Sequence, residues 1–137
     1  MPPSTEPEHA SCTHGPVTSE LCVRLATLLN DFNPAHYDKD FAQSVGLPGV
    51  IGPGTLLQGW VAADVADRLS ETGRDGRERL AGIDLRFTSP VLVGERIDID
   101  YAWTDRVAEV VITASSGTTE GGRTVATGTV RVEAVKR

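Results

Sequence analysis

Cysteine is nearly missing from this chain of 137 residues, with only Cys12 and Cys22 present. Two thiols cannot build a disulfide framework, and both read as ordinary thiols. No cluster of Lys and Arg forms a basic patch, and the net charge of −6 with a pI near 5.0 argues against a nucleic-acid surface. No apolar run approaches the roughly 20 residues that a bilayer-spanning helix needs. The first residues, Met1 to His9, are polar and proline-rich with no apolar signal-peptide core, so a cytoplasmic protein without membrane partners is expected. His9, Cys12 and His14 lie close in sequence but match no paired-ligand motif, and neither a metal nor a cofactor is expected. There is no internal repeat and no low-complexity block.

What is present amounts to one domain: the length suits a single core and is short for two. Residues 1–8 carry Pro, Ser, Thr and Glu without periodicity and are expected to be mobile, leaving 9–137 as the folded unit. A short strand is expected through Ala10 to His14. Thr18 or Ser19 can cap a helix from about Glu20 to Asn30, with Leu21, Val23, Leu25, Leu28 and Leu29 as its apolar face. His9 and His14 are expected at the surface. Asp38 reads as the cap of a short helix ending at Val45, because Gly46 offers a left-handed stop and Pro48 follows.

Leu47 to Gly54 is a Gly- and Pro-rich loop leading into the longest helical pattern, about Thr55 to Leu69. That pattern is apolar on nearly every side, which predicts a central helix wrapped by other structure. Ser70 to Arg79 is expected to be an exposed loop. Beyond it the period changes to two: Ile83, Leu85 and Phe87 alternate with polar neighbours, then Ile97, Ile99, Tyr101 and Trp103. Val110 to Ala114 and Val125 to Val135 complete the set, with Gly121-Gly122 as a hairpin turn between them. Four antiparallel strands wrapped around an apolar helix make an α+β, hotdog arrangement.

The segment with most chemical content is Asp31-Phe32-Asn33-Pro34-Ala35-His36-Tyr37-Asp38. Pro34 lacks an N–H and biases Asn33 away from the α region, so a carboxylate and an imidazole five residues apart sit on an ordered turn. Such a turn can aim both side chains at one point. The plainer alternative is that Asn33-Pro34 is only a turn, with Asp31 ending one helix and Asp38 capping the next.

Asp31, Asn33, Pro34, His36 and Asp38, followed by Phe41-Ala42, Gly46 and Gly54-Thr55-Leu56, resemble the hydratase motif of the MaoC-like, (R)-specific enoyl-CoA hydratase family of hotdog proteins. A second block, Leu85 to Val91 with Gly94-Glu95, resembles the strand and turn after that family's central helix. The resemblance runs from about Thr18 to the C-terminus. It implies that Asp31 and His36 form a catalytic dyad acting on one water, and that the N–H of Gly54 meets the thioester oxygen. One departure stands out: where the family usually has a His before this glycine, the chain has Pro53, which removes a side-chain donor and leaves the Gly54 N–H intact.

Asn33 is placed beside the dyad, either fixing the loop through its backbone bonds or touching substrate. Phe41, Val50, Ile51 and Leu57 serve the core and the wall of an acyl pocket. The implied activity is hydration of a 2-enoyl thioester, or dehydration of a 3-hydroxyacyl thioester, on coenzyme A or an acyl carrier protein. Alternatives are a polyketide- or steroid-pathway dehydratase acting on a bulky acyl group, and a non-catalytic acyl-binding subunit of a hotdog heteromer. A thioesterase is disfavoured, since the central helix offers only Asp64 and Asp67, well past its first turn. The family implies a homodimer or a hotdog heteromer, and an exposed sheet edge argues in the same direction.

Overall fold

The computed structural model describes residues 6–116 and 122–136. Most of the expected mobile lead, residues 1–5, and Gly121 of the expected Gly121-Gly122 turn lie outside the described residues. The order is β1 (Glu8–His14), α1 (Ser19–Leu29), a 3₁₀ turn (Pro34–His36), α2 (Lys39–Ser44), β2 (Ile51–Gly52), α3 (Gly54–Glu71), β3 (Glu78–Phe87), β4 (Val91–Leu92), β5 (Arg96–Thr104), β6 (Val107–Ser115) and β7 (Arg123–Ala134).

Five strands form one antiparallel sheet in the order β1-β5-β6-β7-β3, and β2 pairs with β4 in a separate short ribbon. The first and last strands after the central helix, β3 and β7, are therefore neighbours. Alternation places Ile97, Ile99, Tyr101 and Trp103 of β5 and Ala108, Val110, Ile112 and Ala114 of β6 on the inner face. They form one core with Leu57, Val61, Val65 and Leu69 of α3. An antiparallel sheet curved over a long helix is the expected hotdog arrangement. Among the described residues, no helix is long and apolar enough to cross a membrane.

Local signals account for the element boundaries. Thr18 Oγ1 accepts the N–H of Leu21 at 3.1 Å, and α1 stops at Asn30, whose φ of 54° is left-handed. Asp38 accepts the N–H of Phe41 at 3.1 Å and caps α2, which ends before Gly46 at φ 88°.

Several expectations need correction. Helix α1 buries Cys22 and Ala26 and packs Leu25 against the core, while Val23, Leu28 and Leu29 are exposed; the small side chains let the helix backbone lie close to the core, and the last two leucines turn outward. Helix α3 is not covered all round, since Thr55, Gly59, Ala63 and Ala66 are exposed. Alanine and glycine raised its apparent apolarity without requiring burial. The loop after α3 is shorter than Ser70 to Arg79, because the helix continues to Glu71 and β3 starts at Glu78. His14 is not a surface residue: it stacks on Trp60 and bonds to the buried Asp64.

Candidate active site

The turn at Asp31 to His36 is built by short-range bonds. The left-handed Asn30 redirects the chain, and the Asp31 N–H reaches back to the carbonyl of Ala26 at 2.9 Å. Asn33 accepts the N–H of Ala35 through Oδ1 at 3.1 Å, capping the 3₁₀ turn that begins at Pro34. Its own N–H donates to Asp31 Oδ1 at 3.3 Å. Asn33 thus orders the loop from both sides.

His36 is buried, and its Nδ1 lies 2.9 Å from the carbonyl oxygen of Ile51. A carbonyl only accepts, so Nδ1 carries a proton, and the tautomer fixed in this way is the one whose Nε2 can act as an acceptor. That Nε2 faces Asp31 Oδ2 at 3.7 Å, beyond direct hydrogen-bond range. Two acceptors side by side and not bonded to each other can receive the two protons of a single water.

Helix α3 begins beside His36. Its N-cap, Pro53, is extended at φ −68° and ψ 145° and makes no side-chain cap. The first intrahelical bond runs from the Leu56 N–H to the Pro53 carbonyl at 3.0 Å, so the N–H groups of Gly54 and Thr55 have no acceptor among the described residues. These orphan donors and the positive end of the helix dipole favour an oxyanion. The ring of Phe87 packs on Gly54 so closely that a Cβ there would lie 2.9 Å from it.

A cleft of about 580 Å³ brings His36, Ile51, Gly54 and Leu57 together with Gln58 and Phe87. Of the residues singled out in the sequence, Asp31 flanks this cleft through His36. Asn33, Phe41 and Val50 do not line it; Phe41 points outward and is partly exposed. Sequence reading missed Gln58 and the clamp that holds the opposite wall. Buried Glu95 accepts the Leu92 N–H at 2.7 Å and receives Arg123 at 2.8 and 3.0 Å. Arg123 also donates to the Pro90 carbonyl and to Ser89 Oγ. The Glu95 carboxylate holds the guanidinium further up from its ordinary pKa. No local pattern marks Arg123, which is 28 residues from its partner.

A second carboxylate–imidazole pair lies away from this cleft. Asp64 Oδ1 is 2.8 Å from His14 Nε2, and Asp64 Oδ2 accepts the Tyr101 hydroxyl at 2.6 Å. Burial, then this bond, pushes the Tyr101 phenol far up. Burial, then the charge of Asp64, pushes the Cys12 thiol up to about 11. Both acidic protons are therefore held firmly, and the cluster is bonded within itself. It does not present Asp64 to the cleft, against a role as a thioesterase carboxylate.

The chain is similar to known proteins at three levels. It is 28% identical over 99 residues to the probable dehydratase NIT22 of Ajellomyces capsulatus, covering 71% of this chain and spanning about 25% of that relative's length. An (R)-hydratase from A. caviae involved in PHA biosynthesis superposes with a TM-score of 0.73 at 22% identity, covering 97% of this chain and 98% of that one. The C-terminally truncated HadBC (3R-hydroxyacyl-ACP dehydratase) complex from Mycobacterium tuberculosis does so with a TM-score of 0.71 at 14% identity, over 97% and 100%. At these identities the superpositions speak for the hotdog fold. The sequence itself matches the MaoC like domain over residues 4–127, nearly its whole length, and the chain belongs to that family.

Proposed function

We propose that the protein adds water across the double bond of a 2-enoyl thioester to give the (R)-3-hydroxyacyl thioester, or runs the same reaction in reverse, on coenzyme A or an acyl carrier protein. The observation that carries this reading is the unbonded pair of acceptors, Asp31 Oδ2 and His36 Nε2, next to the free N–H groups that open α3.

Hydration requires a base for water, stabilisation of an enolate oxygen and a proton for the α-carbon. Water donates one hydrogen bond to each dyad acceptor. As its oxygen bonds to the β-carbon, its proton passes to the dyad and the π electrons move onto the thioester oxygen. Gly54 N–H, at a helix N-terminus in a partly enclosed cleft, meets that charge. The same proton then goes to the α-carbon as the enolate collapses, so one water is consumed and the dyad returns to its starting state. His36 Nδ1, tied to Ile51, keeps the ring oriented throughout. The substituted Pro53 does not interfere with this step, since only the N–H of Gly54 is used.

The non-catalytic alternative is disfavoured because an acyl-binding subunit needs neither acceptor. A second hotdog chain, identical or homologous, is proposed as partner: Leu28, Phe32, Phe41 and Val45 expose apolar surface near the turn that carries Asp31. Mixing purified protein with short, medium and bulky 2-enoyl-CoA thioesters and following the loss of enoyl absorbance tests the activity, with Asp31→Asn as control and the product's configuration assigned. Absence of turnover on every thioester would overturn it.

A further inference from the structure

The polar side chains of the cleft differ in whether the protein itself uses them. His36 Nδ1 is held by Ile51, Ser89 Oγ accepts from Arg123, and Thr88 Oγ1 leans on the carbonyl of Thr124 at 3.4 Å. Gln58 is half-buried, lines the cleft, and has no hydrogen-bond partner among the described residues. An amide has two donors and an acceptor, and leaving them idle against an apolar acyl chain is unfavourable.

Its position says which part of a substrate it meets. Gln58 follows Gly54 by four residues on α3, so the two share a face one turn apart, about 6 Å along the axis. The exposed rim of the cleft is formed by Thr55, Phe87, Thr88 and Pro90, whereas Leu57 and Val91 are buried. A coenzyme or carrier arm must leave over the exposed rim. The acyl group therefore runs inward past Leu57 and Gln58, beyond the reacting double bond.

We infer that the acyl group carries a hydroxyl or keto oxygen beyond the double bond, and that Gln58 is the specificity residue that binds it. This rests on the thioester hydration reading and deepens it. An unsubstituted alkyl chain would strip water from the Gln58 amide and return nothing; an oxygenated one replaces it.

The test compares 2-octenoyl-CoA with counterparts bearing one hydroxyl or keto group between the double bond and the chain terminus, on wild type, Gln58→Leu and Gln58→Ala. Turnover is measured on these thioesters, and calorimetric binding on their saturated forms. Wild type should favour at least one oxygenated chain by about tenfold in kcat/KM and in Kd, as one net hydrogen bond allows. Gln58→Leu should erase that preference and improve the alkyl substrate. Wild-type preference for the alkyl chain, or an equal loss on all thioesters in both variants, would overturn the inference and leave hydration standing. Binding that keeps the Gln58-dependent preference without any turnover would overturn hydration and leave the recognition standing. Neither binding nor turnover would overturn both.

Discussion

The molecule holds two carboxylate–imidazole pairs that use the same chemistry to opposite ends. Asp64 and His14 meet at 2.8 Å with the carboxylate side chain 6% exposed, its second oxygen is taken by Tyr101, and the imidazole stacks on Trp60. Asp31 and His36 stand 3.7 Å apart, the carboxylate 48% exposed, and among the described residues neither Asp31 Oδ2 nor His36 Nε2 is consumed by another group. One pair is closed and fastens β1 and β5 to α3. The other is held in place from behind, by Ile51 on the ring and the Asn33 N–H on the carboxylate, with its facing atoms left free. Orientation through the far atom and vacancy at the near atom distinguishes a pair that can work on a substrate from one that only holds the chain together.

That contrast predicts a division of effects, and the largest belongs to the open pair. Asp31→Asn and His36→Ala should each lower kcat on an enoyl thioester by about a thousandfold, within the range for a lost acid/base group, with little change in melting temperature. Strong destabilisation with activity retained would return Asp31 to the role of a helix terminator. Next comes the donor. Proline is tolerated at the first position of a helix, and residue 53 already has the extended backbone it requires, so Gly54→Pro can remove one N–H without breaking α3. Both Gly54→Pro and Gly54→Ala must displace the Phe87 ring; only the proline loses the donor. The proline variant should be slower than the alanine variant by about a hundredfold in kcat. Equal rates would remove Gly54 from the oxyanion site.

The closed pair should answer in stability instead. Asp64→Ala leaves the Tyr101 hydroxyl and His14 without their acceptor, and loss of about 3 kcal/mol is expected from urea unfolding. Activity per folded molecule should be nearly unchanged. If this variant lost activity as steeply as Asp31→Asn while remaining folded, the two pairs would not be functionally separate.

Sequence separation explains why one pair was legible and the other was not. Asp31 and His36 lie on one turn whose proline and asparagine are visible as local constraints, so their proximity follows from short-range geometry. His14 and Asp64 are 50 residues apart and Tyr101 is 37 from Asp64, and no periodicity connects a polar residue on a strand to one on a helix. His14, near the start of the chain where mobility is expected, reads from the sequence as a surface residue. The strands of the β5–β6 hairpin were legible because alternation directly encodes a two-sided sheet. The burial of α1 was not, since hydrophobicity marks leucines whereas close packing selected Cys22 and Ala26. Gln58 carried no signal at all, because only the cleft around it makes an unpaired amide informative.

The smallest effect sharpens the contrast through pH. In the folded chain Cys12 keeps its proton up to about 11, against an ordinary thiol value of 9.0, because it is partly buried beside the Asp64 carboxylate; Tyr101 is pushed up by burial and by donating to that same carboxylate. Above about pH 9 the unfolded chain releases the thiol proton that the folded chain still holds, so stability present below that pH is lost as pH rises toward 11. Tyr101 adds a further decline once unfolded tyrosine ionises near pH 10. Urea midpoints measured from pH 8 upward should therefore fall for wild type and for Asp31→Asn alike, and should fall less steeply for Cys12→Ala and for Tyr101→Phe. A decline unchanged in both of the latter variants would mean that the Asp64 cluster is not the proton-holding centre, and the difference between the two pairs would reduce to exposure alone.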